Sequence, residues 1–161
     1  MILVSLGTQD KEFVRLLRDV EKAIEDGDIQ EEVVAQIGQT KFTSDKMKLV
    51  DFLNEDEFSA LLKQARLLIT HGGVGTIIHA VNEKKPVIAC ARLAKYGEHH
   101  NDHQLQIIER FAKMGCLIPY YDGDSLKERL KEAEHFVPNG YQSNTSNFVN
   151  LVRSYLKQIE K

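Results

Sequence analysis

The sequence predicts an α/β fold of Rossmann type, with three layers built around a parallel sheet of about six strands. Short aliphatic and β-branched runs alternate with amphipathic segments, as in repeated units of strand and crossover helix. Most of the short runs are continuously apolar, as expected of strands that helices cover on both faces. The length of 161 residues suits one domain with a single core, so residues 1–161 are interpreted as a single domain.

The first half of the chain holds four predicted strands and two predicted helices. Residues 2–6, 32–37, 48–51 and 67–70 are the short aliphatic runs and are expected to be strands. Between the first two runs, Phe13, Leu17, Val20 and Ile24 recur at helical spacing. They predict a helix over residues 11–26, which Gly27 would end. A second helix is predicted over residues 55–65.

The second half continues the alternation, with strands predicted at residues 86–90 and 116–119. Helices are predicted over residues 74–83, 102–114 and 125–136. Gly115 would end the middle one, and Leu126, Leu130 and Ala133 form one stripe on the last. A polar segment, residues 138–144, breaks the pattern before a final helix from Thr145. Residues 135–161 are therefore interpreted as a C-terminal helical extension.

The composition excludes several functional classes. The hydrophobic share of 42% and the charged share of 28% are typical of a soluble globular protein. A net charge of -3 provides no field that would collect nucleic acid, so no nucleic-acid partner is expected. Cys90 and Cys116 lie in apolar runs and are interpreted as buried thiols of a reducing compartment. Without a spanning run or a signal sequence, the expected location is cytoplasmic, and peripheral at a membrane only through a partner.

The segment after the fourth strand is the main candidate site. His71 is followed by Gly72, Gly73, Gly75 and Thr76 at the predicted start of a helix. Glycines allow close approach of a ligand to the backbone, and free N–H groups at a helix start favour an anion such as a diphosphate. The pattern is neither Gly-x-Gly-x-x-Gly nor a Walker loop. The glycines alone fit a tight bend without a ligand equally well.

A second turn of this type follows the first strand, at Gly7 and Thr8. By itself this pair is more typical of a plain turn. Ligands of open parallel sheets bind outside the carboxyl ends of the strands. Two glycine turns at neighbouring strand ends therefore favour a ligand site there.

Besides the two glycine turns, a polar cluster covers residues 96–104. It is rich in groups that form hydrogen bonds with hydroxyls, as sugar-binding sites are. His99 and His103 stand at i, i+4 and raise the alternative of a metal site. The metalloprotease pattern would need a glutamate where His100 stands, so no metal is expected. A solvated helix start, capped by Asn101 or Asp102, is the other alternative.

In combination, residues 1–9, 71–76, 85–88 and 101–104 resemble the C-terminal donor-binding domain of GT-B glycosyltransferases of family 28 type. The chain is most similar to the small subunits of two-subunit enzymes of this class. Such subunits occur in capsule and exopolysaccharide synthesis and in the dolichol-linked N-acetylglucosaminyltransferase. The resemblance spans residue 1 to about residue 120. It implies one half of a GT-B fold.

The resemblance also implies a site. The positions that match the family's diphosphate contacts are Gly7, Thr8, His71, Gly72, Gly73, Gly75 and Thr76. The nucleoside positions are Phe52, Leu53 and His79, and the donor-sugar positions are Asn101, Asp102 and Gln104. Relatives commonly carry an acidic residue where His79 stands, which leaves the donor open. For Phe52 and Leu53, plain core packing fits equally well.

The implied activity is metal-independent, inverting hexosyl transfer from a nucleotide sugar, most simply a UDP-sugar, with no other cofactor. His71 and His99 are conceivable general bases, but both suit binding better. The partner implied is a membrane-associated subunit that binds a lipid-linked saccharide acceptor and supplies the base. The final helix could dock on it through Phe148 and Tyr155, although packing on its own domain is expected of such a stripe.

Two other functions remain as alternatives. A non-catalytic nucleotide-sugar-binding module would keep the diphosphate site without turnover. A dinucleotide-dependent oxidoreductase would need an acidic residue at the end of the second strand. The sequence has Gln36, Ile37, Gly38 and Gln39 there, which counts against it.

Overall fold

The computed structural model describes residues 1–139 and 145–159. Its strands are β1 (Ile2–Ser5), β2 (Val33–Gln36), β3 (Lys48–Val50), β4 (Leu67–Thr70), β5 (Val87–Ala89) and β6 (Ile118–Pro119). Its helices are α1 (Val14–Glu25), α2 (Glu55–Gln64), α3 (Val74–Asn82), α4 (His103–Lys113), α5 (Leu126–Ala133) and α6 (Thr145–Ile159). All the predicted strands and helices are thus present in the predicted order.

The strands form one parallel sheet in the order β3-β2-β1-β4-β5-β6. The chain moves outward from β1 to β3, returns to the centre as β4, and then moves outward the other way. This reversal makes the space between the carboxyl ends of β1 and β4 the topological switch point, where Rossmann-type sheets bind ligands. The register pairs Ser5 with Thr70, so both strands end at the same level.

Two apolar clusters cover the two faces of the sheet, which confirms the predicted layers. On one face, α1 and α5 pack through residues such as Leu17 and Leu130. On the other face, α2, α3, α4 and α6 pack through residues such as Ile77 and Phe111. β1, β2, β4 and β5 are buried along their whole length, as their continuous apolar sequence predicts, whereas β3 at the sheet edge is partly exposed.

The main differences from the predicted bounds lie at the ends of elements. Helix α1 begins at Val14 rather than at residue 11. The backbone N–H of Phe13 donates to Thr40 Oγ1 at 3.0 Å, so this residue is held by the 38–47 loop and not by the helix. Strand β6 retains only Ile118 and Pro119 of the predicted run, and the 91–101 loop contains a single 3-10 turn, Ala94–Tyr96.

The final helix packs on its own domain, as expected of its apolar stripe. Val152 is buried in the second cluster, and the Tyr155 hydroxyl donates to the Gln106 carbonyl at 3.2 Å. Arg110 lies over the Tyr155 ring at 5.6 Å. The side chain of Phe148 and residues 140–144 lie outside the described part of the chain. Among the described residues, no helix is long and apolar enough to cross a membrane.

Candidate functional site

A cavity of about 310 Å³, here called the donor pocket, opens at the switch point between β1 and β4. It gathers residues from the two glycine turns and from the first turns of α2 and α3. Eight of the predicted site residues line it: Gly7, Thr8, Leu53, His71, Gly73, Gly75, Thr76 and His79. The structure thus brings the separate sequence motifs to one place.

The imidazole ring of His71 is held between the two glycine turns. A Cβ atom on either Gly7 or Gly73 would overlap with this ring. Gly7 also has a φ of 74°, a left-handed conformation that side chains rarely adopt. Close packing against His71 therefore requires glycine at both positions, a reason that differs from the bound ligand and the tight turn inferred from the sequence.

Gln104 packs against the other side of His71. Its Oε1 accepts hydrogen bonds from the backbone N–H groups of Gly72 at 3.0 Å and Arg92 at 3.1 Å. Because both partners can only donate, the orientation of the amide is settled, and its Nε2 must donate to His71 Nδ1 at 3.3 Å. The proton of the neutral imidazole then belongs on Nε2, the nitrogen that lies next to Gly7.

Burial keeps His71 neutral. Loss of hydration and, after it, the positive charge of Arg92 lower the pKa of His71 to about 3. The hydrogen bond that Gln104 Nε2 donates to Nδ1 also favours the neutral ring, because a protonated Nδ1 could not accept it. At neutral pH this imidazole is a hydrogen-bond donor through Nε2 and a very weak base.

Arg92 is a buried cation behind the first glycine turn and was not singled out from the sequence. Its side chain donates to the carbonyls of Leu6 at 2.6 Å and Lys11 at 2.7 Å, and stacks over the ring of Phe13 at 5.0 Å. Burial lowers its pKa to about 10, so it remains charged at neutral pH. The only sequence signal was an arginine inside the apolar run of residues 87–93. Its charge favours an anion at the turn it supports.

The wider end of the donor pocket is formed by α2 and α3. His79 Nε2 lies 3.2 Å from Ser59 Oγ, and its ring is 5.6 Å from that of Phe58. Leu53 also lines this end, whereas Phe52 is 49% exposed and lies outside the lining. Sequence reasoning missed Asn54, Glu55 and Phe58, although Asn54 and Glu57 carry the capping-box pattern that marks the start of α2.

The three residues predicted to bind the donor sugar, Asn101, Asp102 and Gln104, lie in different places in the structure, and their contact with a sugar stays a prediction. Gln104 is buried behind His71. Asp102 accepts a hydrogen bond from the Ala94 N–H at 2.9 Å, and Asn101 accepts one from the His103 N–H at 3.0 Å. Asp102 precedes the first residue of α4, whereas Gln104 lies in its first turn. Asp102 lines a different cavity.

His99 and its neighbours form no metal centre within the described ranges, where no three His, Cys, Asp or Glu side chains are grouped to hold an ion. The rings of His99 and His100 are 6.2 Å apart. His99 Nδ1 accepts a hydrogen bond from the Asn101 N–H at 3.3 Å. Burial and then the charge of Arg92 lower the pKa of His99.

The loop between β5 and α4 is anchored by an ion pair. The Arg15 guanidinium binds both carboxylate oxygens of Glu98, at 3.0 and 2.9 Å. Glu98 Oε2 also accepts from the Leu93 N–H at 3.0 Å, and Arg15 donates to the Ala91 carbonyl at 3.0 Å. Burial alone would lower the pKa of Arg15, but the hydrogen bond to Glu98 and the interactions with the charges of Cys90 and Glu98 together outweigh it and raise the pKa. This pairing across 83 residues left no signal in the sequence.

Comparisons with known proteins identify relatives of the chain. A UDP-N-acetylglucosamine transferase subunit, ALG13 of Candida albicans, is 27% identical over 115 residues, which cover 71% of this chain and 35% of the relative. The chain thus spans about a third of the length of this curated relative. The NMR structure of ALG13 matches with a TM-score of 0.57 at 18% identity, over 93% of both chains.

The glycotransferase of kitacinnamycin matches with a TM-score of 0.64 at 19% identity, over 83% of this chain and 34% of that protein. At these identities the solved structures show the fold, which is that of GT-B glycosyltransferases. The family model for the glycosyltransferase family 28 C-terminal domain matches residues 1–159. The chain therefore belongs to the glycosyltransferase family 28 C-terminal domains.

Proposed function

We propose that this chain binds the nucleoside-diphosphate sugar of a glycosyltransferase and works with a membrane-associated subunit that binds a lipid-linked saccharide acceptor. The observation that carries the proposal is the neutral His71, held between two glycine turns at the switch point with Arg92 behind it. One donor N–H and one buried positive charge at this point suit an anion.

The diphosphate is assigned to the space over the start of α3. The first N–H groups of a helix have no partner inside it, and here those of Val74, Gly75 and Thr76 begin α3 beside the donor pocket. With His71 Nε2 on the other side, the diphosphate would receive donors from a helix and from a side chain. No metal ion is needed for this arrangement.

The nucleoside is assigned to the wider end of the pocket, between Leu53, Phe58 and His79. His79 can form one hydrogen bond with a ribose hydroxyl in place of the carboxylate that relatives commonly use. Uridine is the proposed base, since the curated relative is named a UDP-N-acetylglucosamine transferase subunit.

In the proposed reaction, the acceptor hydroxyl oxygen forms a bond to the anomeric carbon of the donor with inversion. The bond from this carbon to the diphosphate breaks, and its electron pair leaves with the nucleoside diphosphate. His71 and the α3 N-terminus would stabilise the growing negative charge, and the hydroxyl proton would pass to a base. With a pKa of about 3 and its proton on Nε2, His71 is unsuited to be that base. The base is therefore assigned to the partner.

The proposal of a partner draws on the relatives. The ALG13 structure matches over 93% of both chains, and the curated relative of that name is called a subunit. A GT-B cleft lies between two such domains. This chain would supply the donor half, in polysaccharide or oligosaccharide synthesis.

Calorimetry of the chain against uridine, guanosine and thymidine diphosphates and their sugars tests donor binding. We expect a uridine nucleotide to bind with the highest affinity, and the absence of binding by all of them would refute the proposal. A transfer assay with the co-purified partner then separates the two functions considered. Donor binding without turnover in that complex would identify a non-catalytic nucleotide-sugar-binding module instead.

A further inference from the structure

A second and larger cavity, of about 500 Å³, opens on the same edge of the sheet at the carboxyl ends of β5 and β6. We call it the β5–β6 pocket. Its floor includes Cys90 and Ala91, which follow β5, and Tyr120 and Tyr121, which follow β6. Its size lies within the range of about 300–1000 Å³ that small-molecule sites have.

Helix α4 separates this pocket from the donor pocket. Leu105 and Glu109 stand at i, i+4 and face the β5–β6 pocket together. Gln104 points away from them and contacts His71. The two pockets therefore lie side by side on the face where a second GT-B domain would pack.

We propose that the β5–β6 pocket binds a neutral saccharide unit of the acceptor. This inference rests on the proposed function, and it assigns to this chain a part of the acceptor site that was expected on the partner alone.

The charges around the pocket argue against a phosphate or another anion. Of its two cations, Arg15 is bound by both oxygens of Glu98, and Lys95 lies 2.7 Å from Asp122. Asp102 and Glu109 then leave an excess of negative charge on the lining. Such a rim repels a diphosphate but can accept hydrogen bonds from sugar hydroxyls.

The floor suits the ring of a sugar. Leu93, Leu105 and the two tyrosines give the pocket an apolar and aromatic surface. The hydroxyl of Tyr120 is bound to Asp19 on α1 at 2.9 Å, so this side chain offers its ring and not its hydroxyl. Tyr121 is partly buried near Glu109. Burial and, second, the negative charge of Glu109 raise the pKa of this tyrosine. An apolar floor below a polar rim matches the two kinds of surface of a pyranose.

Hydrogen bonds within the chain fix the walls of the β5–β6 pocket. Asp122 accepts a hydrogen bond from the Tyr96 hydroxyl at 2.7 Å, Asp102 accepts one from Ala94, and Arg15 fixes the Ala91 carbonyl. A preformed site loses less entropy when it binds a ligand.

The spacing of the strands fits a role in transfer. The donor pocket lies at β1 and β4, and the second pocket lies two strands further along, at β5 and β6. Neighbouring strands are about 4.8 Å apart, so the pockets are separated by roughly 10 Å along the sheet. A sugar bound in the β5–β6 pocket would thus lie next to a donor whose diphosphate contacts His71.

Amide NMR of the full, ¹⁵N-labelled chain tests the proposal with methyl glucoside, methyl galactoside, N-acetylglucosamine and lactose, each with and without UDP. We expect at least one sugar to shift the amides of Ala91, Leu105, Glu109 and Tyr121 in a saturable way, with or without UDP. Glu109→Gln and Tyr121→Ala should each weaken sugar binding about tenfold or more and leave the affinity for UDP unchanged. Glu134→Gln, an equal change at an exposed position just after α5, is the matched control.

Three results would overturn the inference. The first is no saturable shift at these amides with sugars at up to about 100 mM, while UDP still binds. The second is a loss of UDP-sugar affinity, relative to UDP, in the Glu109 and Tyr121 variants, because this pocket would then hold the donor's own sugar. The third is a shift with basic peptides but with no sugar. Failure of the proposed function looks different, because UDP itself would then not bind.

Discussion

The side-chain amide of Gln104 joins the backbone of Gly72 to the ring of His71. Its oxygen accepts from the Gly72 N–H at 3.0 Å, and its nitrogen lies 3.3 Å from His71 Nδ1. A residue that resembles a sugar-binding position is therefore buried behind the candidate diphosphate site. Its hydrogen bonds dictate which nitrogen of His71 carries the proton, and this gives the first prediction.

Gln104→Glu should reverse the polarity of this contact. The carboxylate can only accept, so His71 would carry its proton on Nδ1 and turn an acceptor toward the bound phosphate. We expect the affinity for UDP to fall about tenfold or more, with little change for uridine, by calorimetry. Imidazole ¹⁵N shifts should show the change of tautomer. Gln106→Glu, on the exposed side of α4, is the control, and equal UDP affinities in the two variants would refute the role of Gln104.

Gly73→Ala should displace the ring of His71, because the added Cβ would overlap with it. We expect UDP binding to be lost while circular dichroism still shows the folded domain. Gly75→Ala is the comparison, since a Cβ there meets no atom within 4 Å. It should leave His71 in place and keep the stability of the parent. Unaltered UDP affinity in Gly73→Ala would remove the glycine turn from the site.

The stability of the domain should depend on pH through His71. Its folded pKa of about 3 lies below the ordinary value of 6.5. The unfolded chain therefore binds a proton first as the pH falls, and the folded state loses up to about 1.4 kcal/mol per pH unit between 6.5 and 3. Above pH 6.5 this contribution is complete. Urea unfolding from pH 7.5 to pH 4.5 measures it, and His71→Asn should show a smaller slope; identical slopes would contradict the assignment.

Glu98→Ala should destabilise the fold through its buried partner. Without the carboxylate, the guanidinium of Arg15 and the N–H of Leu93 lose their acceptor. Breaking a largely buried pair in this way costs about 3 kcal/mol or more in the free energy of unfolding, as measured with denaturant. Glu132→Ala, which breaks the exposed pair with Arg129, should cost less than about 1 kcal/mol. Similar losses in both variants would show that the 91–98 loop does not depend on this pair.

Much of the fold was predictable because it follows from local patterns. Continuous apolar runs identified the four buried inner strands, and the helical spacing of Leu17 and Val20 placed α1. Helix starts were harder, since Phe13 fits the helical stripe but is held by Thr40, which is distant in sequence. The length of β6 was overestimated because an apolar run does not reveal where pairing with a neighbour stops.

The candidate site was predictable in its glycines and in His71, because a helix that starts right after a strand leaves N–H groups for an anion. The placement of residues 101–104 could not be predicted, because Asn101 and Asp102 form hydrogen bonds before α4 begins, whereas Gln104 turns inward to His71 from its first turn. Gln104 contacts His71 of the donor pocket, whereas Asp102 lines the β5–β6 pocket.

By itself, the sequence determined the order of strands and helices, the glycine turns and the family, since these depend on residues that are close together along the chain. Only the tertiary structure decided the tautomer of His71, the position of Arg92 behind Leu6 and the pairing of Arg15 with Glu98. The physical reason is that hydrogen bonds, burial and charge act over a few ångströms in space. The parallel sheet brings together residues that are 33 to 86 positions apart in the chain.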